Sequence, residues 1–149
     1  MHPNWGDKYS ILLIAGDEAT HFICQKTFEL FKDIVFIQEE NPMEGRITAG
    51  SCHPDLVITD VEFPDQDKKI SEGYYRATRL ICPLTKFIIY SYVREEIVIS
   101  RYLRMGVESY LFKPVAIEHL LEKAFTLIGK PYPDWMYGKM PFAKEDEYE

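Results

Sequence analysis

The stretch Pro54-Asp55-Leu56-Val57-Ile58-Thr59-Asp60-Val61-Glu62-Phe63-Pro64 decides how this chain is read. Its apolar centre, Leu56-Val57-Ile58, is continuous rather than alternating, which marks a strand buried on both faces. Asp60 stands just beyond the carboxyl end of that strand. In open sheets of parallel strands, sites form at those carboxyl ends, so the aspartate is a candidate functional group.

Working outward, Ile11-Leu12-Leu13-Ile14 and Phe87-Ile88-Ile89-Tyr90 are runs of the same kind, and Ile34-Val35-Phe36-Ile37 and Tyr110-Leu111-Phe112 are weaker ones. Helical spacing fills the gaps. Ile117, Leu120, Leu121, Ala124, Phe125 and Ile128 lie on one helical face, and residues 22–31 carry Ile23, Cys24, Phe28 and Phe31 on one stripe. Residues 71–81 and 94–105 also read as helices. Residues 42–52 read as a poor one, because Gly45 and Gly50 weaken a segment with few apolar residues. Strand and helix alternating five times imply an α/β fold, a five-stranded parallel sheet with helices on both faces.

The residues that follow each buried run are therefore of interest. They are Gly16, Asp17 and Glu18; Thr59 and Asp60; Ser91; and Lys113 with Pro114. A carboxylate can accept a phosphoryl group when the charge on the transferring oxygens is offset, and a magnesium ion held by acids does this. Asp60 is the expected acceptor and Mg2+ the expected cofactor. Asp17, Asp60 and the backbone carbonyl of Glu62 are the expected metal ligands, with Glu18 a further candidate. Lys113 would bring positive charge to the phosphoryl group, and the Ser91 hydroxyl a hydrogen bond.

With these residues in place, the chain resembles the response-regulator receiver domains of two-component signalling. The stretch 54–64 is similar to that family's acceptor strand and loop. Met105-Gly106-Val107-Glu108-Ser109-Tyr110-Leu111-Phe112-Lys113-Pro114 is similar to its Ala-Gly-Ala, Tyr-Leu and Lys-Pro block. The resemblance covers residues 9–129, with 1–8 as a lead-in and 130–149 as an aromatic and acidic tail. It implies a flavodoxin-like three-layer (βα)5 sandwich with strand order 2-1-3-4-5. It further implies Asp60 as phosphoacceptor, Ser91 and Tyr110 as switch residues, and a cis peptide before Pro114. A histidine kinase or phosphotransfer protein would donate the phosphoryl group, Tyr110 would then turn inward, and a downstream protein target would read the change. A homodimer is compatible with this. Enzymatic activity would be limited to self-phosphorylation and autodephosphorylation at Asp60. The alternative is a receiver-like interaction module that works without phosphorylation.

Two departures motivate that alternative. The family carries two consecutive acids after its first strand, where this chain reads Gly16-Asp17-Glu18. In one alignment Gly16 replaces only the first acid. In another, shifted by one residue, Ala15 and Gly16 stand where both acids belong. The second departure is a polar insertion, Asp65-Gln66-Asp67-Lys68-Lys69, beside the expected site.

Composition bounds the rest. A chain of 149 residues with 46% hydrophobic content suits one domain. A net charge of −7 argues against direct nucleic-acid binding. Cys24, Cys52 and Cys82 are too scattered for a disulfide framework or zinc site. With no apolar run near the roughly 20 residues that span a bilayer and no signal-like start, a cytoplasmic protein without membrane insertion is expected. His2, His21, His53 and His119 show no partner pattern, and His21 is read as solvent-exposed or locally bonded. Tyr132, Trp135, Tyr137 and Phe142 either pack on the domain, the favoured expectation, or present aromatic anchors to a partner, and Glu145-Asp146-Glu147 is expected to be a solvated end.

Overall fold

The computed structural model describes residues 7–134 and 147–148. Among these residues the elements are β1 (Tyr9–Ile14), α1 (Glu18–Phe28), β2 (Ile34–Glu39), α2 (Pro42–Cys52), β3 (Leu56–Thr59), α3 (Lys68–Ile81), β4 (Lys86–Ser91), α4 (Glu96–Arg104), β5 (Ser109–Phe112), α5 (Ile117–Ile128) and β6 (Glu147–Tyr148). The first five strands are parallel and lie in the order 2-1-3-4-5, as expected.

Pleat alternation divides the core into two layers. Ile11, Leu13, Leu56, Ile58, Ile88 and Leu111 face α1 and α5, where Cys24, Phe28, Leu120, Leu121, Ala124 and Phe125 meet them. Leu12, Ile14, Val57, Phe87, Ile89 and Tyr110 face the other way, toward Ala49, Tyr75, Ile99 and Tyr102 of α2, α3 and α4. Each fully buried Ile or Leu contributes about 1.5–3 kcal/mol, so both faces of the central strands hold the sheet rigid where the site is built. No helix among the described residues is long and apolar enough to cross a membrane.

Several elements differ from the sequence reading, each for a local reason. α2 is a regular helix despite its glycines. The Asn41 side chain caps it by accepting from the Glu44 N–H at 2.9 Å, and Pro42 occupies its first turn. Gly45 is required rather than disruptive, because a Cβ there would collide with the Ile14 side chain. α1 ends at Phe28, and its buried residues are Thr20, Cys24, Thr27 and Phe28, while Ile23 is exposed. The polar insertion is divided between a tight turn and the start of a helix. Asp65 takes a left-handed φ of 58° in a turn closed by the Phe63–Gln66 bridge, and Asp67 caps α3, which already includes Lys68 and Lys69. Finally, β6 adds an antiparallel sixth strand by pairing with Tyr110 and Leu111. Glu147 thus belongs to a strand that covers the open edge of β5, where a free end was expected. Tyr132 stacks on Phe125 at 6.1 Å, and its hydroxyl donates to the Glu122 carbonyl at 3.1 Å. Trp135, Tyr137, Phe142, Glu145 and Asp146 lie outside the described residues.

Candidate functional site

The carboxyl ends of β1, β3, β4 and β5 bring Asp17, Asp60, Ser91 and Lys113 to one edge of the sheet. Asp60 follows β3 directly, and its N–H donates to the Ile14 carbonyl at 3.0 Å. One carboxylate oxygen, Oδ1, accepts from the N–H groups of Val61 at 2.7 Å and Glu62 at 3.1 Å. The other, Oδ2, accepts from Lys113 Nζ at 3.0 Å. Lys113 follows β5, is tied to Ser91 by a backbone bond of 2.8 Å, and precedes Pro114 through a cis peptide. The same ammonium donates to Asp17 Oδ1 at 3.1 Å. Asp17 is the N-cap of α1, and its Oδ2 accepts from the Thr20 N–H at 3.0 Å and the Thr20 hydroxyl at 2.7 Å.

The result is one cation held between two anions. The Lys113 side chain is 4% exposed and that of Asp60 9%, whereas Asp17 is 46% exposed. Burial pulls the Lys113 amine down from its ordinary value, but the Asp60 charge and the hydrogen bonds to Asp60 and Asp17 outweigh it, and the net shift is upward. Burial pushes Asp17 up, yet hydrogen bonds from Thr20 and Lys113, with the Lys113 charge, bring it below the usual carboxylate range.

Ser91 and Tyr110 are fully buried. The Ser91 hydroxyl accepts from the Val93 N–H at 3.1 Å, and the Tyr110 hydroxyl donates to the Val93 carbonyl at 2.8 Å. Burial, then the Asp60 charge, raises the Tyr110 phenol far above its ordinary value. Tyr110 is therefore turned inward in this structure.

The loop after β1 follows the second of the two alignments. Ile14 pairs with Thr59, so Ala15 and Gly16 are the first two residues off the strand, and neither is an acid. The space an acidic side chain would need at position 16 is filled, since a Cβ there would lie 2.8 Å from Pro64 Cδ. Asp17 arrives one residue later and reaches the pocket from the helix cap. Glu18 is exposed in the first turn of α1, and the contact Glu62 makes with Asp60 is through its N–H. No group of three or more His, Cys, Asp or Glu that could hold a metal occurs among the described residues. Magnesium is bound through one or two carboxylates with water completing its octahedron, and the two carboxylates here, Asp17 and Asp60, both accept from the Lys113 ammonium. With no acid at positions 15 and 16, Asp17 and Asp60 are the two carboxylates that would hold a magnesium ion, and Lys113 bridges them in this structure.

Other expected residues are accounted for. His21 is locally bonded, with Nε2 at 2.6 Å from the Ala15 carbonyl and Nδ1 at 2.8 Å from Gln38 Oε1. The three cysteines are free thiols, and burial pushes that of Cys24 up to about 12. Thr20 and Val93 were missed. The signal for Thr20 was its spacing of three from Asp17, which is that of a cap; nothing in the sequence marks Val93.

No protein-family model matches this chain, and no curated protein matches it. Solved structures do. A two-component response regulator from Clostridium difficile superposes with a TM-score of 0.73 at 23% identity, covering 82% of this chain and 97% of that one. A CheY-like response regulator receiver domain protein from Methanospirillum hungatei gives 0.72 at 20% identity, covering 82% and 94%. The signal receiver domain of an HD domain-containing protein from Pseudomonas fluorescens gives 0.74 at 17% identity, covering 89% and 92%. The chain has the receiver fold. Within that fold Lys113, Asp60 and Ser91 stand at one sheet edge, while the two positions after β1 carry no acid.

Proposed function

We propose that this receiver-fold chain is a protein-interaction module of a signalling system that works without phosphoryl transfer, with Lys113 serving as the internal cation of its pocket. The observation that carries this reading is the buried ammonium bridging Asp60 and Asp17 beside acid-free Ala15 and Gly16. A metal in a phosphoryl-transfer site neutralises oxygens and orients the acceptor. Here Lys113 neutralises the acceptor instead, and the Val61 and Glu62 N–H groups orient it. Tyr110, anchored on Val93 together with Ser91, fixes the segment leading into α4 in one arrangement. A surface held in one state is available to a partner without a covalent signal, and control then rests on the partner's presence.

A second reading is favoured by one observation: Lys113 Nζ lies 3.0 Å from Asp60 Oδ2 and Ser91 ends the neighbouring strand, which suits a phosphoryl acceptor served by a histidine kinase or phosphotransfer protein. Intact-mass measurement after incubation with acetyl phosphate and magnesium separates the two. The first reading predicts no adduct. A single phosphoryl adduct on the native chain, absent from Asp60→Asn, overturns it and establishes the second.

A further inference from the structure

An open groove of about 590 Å³ runs between α3 and α4, lined by Arg76, Arg79, Leu80, Arg101, Arg104 and Met105. Four guanidinium groups gathered on a chain of net charge −7 call for an explanation. They are not equivalent. Arg101 is held by Glu72 in a two-point pair, with Nη2 at 2.8 Å and Nε at 3.0 Å from the carboxylate. Arg79 lies 5.5 Å over the Phe87 ring, 3.9 Å from Glu108, and against Gly106, where a Cβ would come within 3.0 Å of Nη2. These two belong to the packing of the groove. Arg76 and Arg104 are exposed and pair with no carboxylate among the described residues, and the hydrogen bonds of Arg104 go only to Ser100 of its own helix, at 3.4 Å. Beside them Leu80, at the end of α3, is 84% exposed.

We propose that this groove docks an acidic segment of a partner protein, its carboxylates on Arg76 and Arg104 and an apolar side chain against Leu80 and Met105. The planar guanidinium fork suits a carboxylate, and two such forks flanking an apolar surface select a segment that alternates acid and aliphatic residues. A nucleic acid is disfavoured because the remaining surface of a chain at −7 repels a polyanion. Isologous pairing of two copies through the groove sets arginine against arginine. The groove contains none of Asp17, Asp60 and Lys113, so the inference stands apart from the fate of the phosphoryl question.

The test is fluorescence anisotropy with a short fluorescein-labelled peptide of alternating glutamate and leucine. Saturable binding that weakens with added salt is expected, with no binding of a lysine and leucine peptide. The double variant Arg76→Glu/Arg104→Glu should lower affinity roughly tenfold or more, since two exposed pairs become two repulsions. Arg104→Gln alone should give a smaller loss, and circular dichroism should show both variants folded. The proposal is overturned if the native chain fails to bind at low salt, or if the double variant binds equally well. Tighter binding of a single-stranded oligonucleotide, or a native dimer that the double variant dissolves, overturns it in favour of those occupants.

Discussion

Replacing Lys113 by methionine removes the ammonium while keeping the length of the side chain. Asp60, 9% exposed, is then left as a carboxylate without its cation, though it retains the Val61 and Glu62 N–H groups. Breaking a buried ion pair by deleting one partner costs about 3–5 kcal/mol. The two retained hydrogen bonds, and the 46% exposure of Asp17, place the expected loss at the lower end, about 3 kcal/mol. That is a large share of a typical domain stability of about 5–15 kcal/mol. Adding Asp60→Asn to Lys113→Met removes the orphaned charge and should recover about 2 kcal/mol, a coupling of the size found for residues in one network. Urea unfolding followed by far-ultraviolet circular dichroism measures all four corners of the cycle. A loss below about 1 kcal/mol for Lys113→Met, or strict additivity in the double variant, would show that the bridge does not hold the pocket together.

The same pair sets a pH dependence. The folded-state value of Lys113 is raised, so its contribution is complete below the ordinary lysine value of about 10.4 and is lost as pH rises through the higher folded value. Asp17 is lowered, so its contribution is complete above about 3.9 and is lost as pH falls through the depressed value. The stability gap between the native chain and Lys113→Met, followed by urea unfolding across pH, should be flat between these limits and close beyond the alkaline one; a gap that closes near neutrality contradicts the assignment. Tyr110→Phe deletes the bond to the Val93 carbonyl and should cost about 1–2 kcal/mol. Amide exchange should also quicken at Val93 and into α4, and unchanged exchange there would show that Tyr110 does not order this segment.

The fold was legible because buried parallel strands write themselves as uninterrupted apolar runs, and the runs around Leu12, Val57 and Ile88 lie adjacent in the sheet. The meeting of Asp17, Asp60 and Lys113 was legible for a related reason, since residues just beyond parallel strands share one edge. What was hidden depends on packing across elements. Gly45 counts against a helix in any local scale, yet it is the residue that lets α2 approach Ile14. The register after β1 was open in the sequence because Ala15, Gly16 and Asp17 offer no apolar signal, and pairing of Ile14 with Thr59 decides it. The inward Tyr110 was expected only with phosphate, because its partner is a backbone carbonyl, which every residue has. The edge pairing of Glu147 and Tyr148 with β5 has the same character.

The account turns on Lys113 standing where a metal would otherwise be needed, and a magnesium titration followed by 1H–15N NMR tests it most directly. The Val61 and Glu62 amides that hold Asp60, and the Thr20 amide that holds Asp17, report on both carboxylates. Only small, unsaturating shifts are predicted at these amides through millimolar magnesium. Saturable shifts at all three, in the native chain, would mean that the ion displaces the ammonium and that the pocket is a metal site after all.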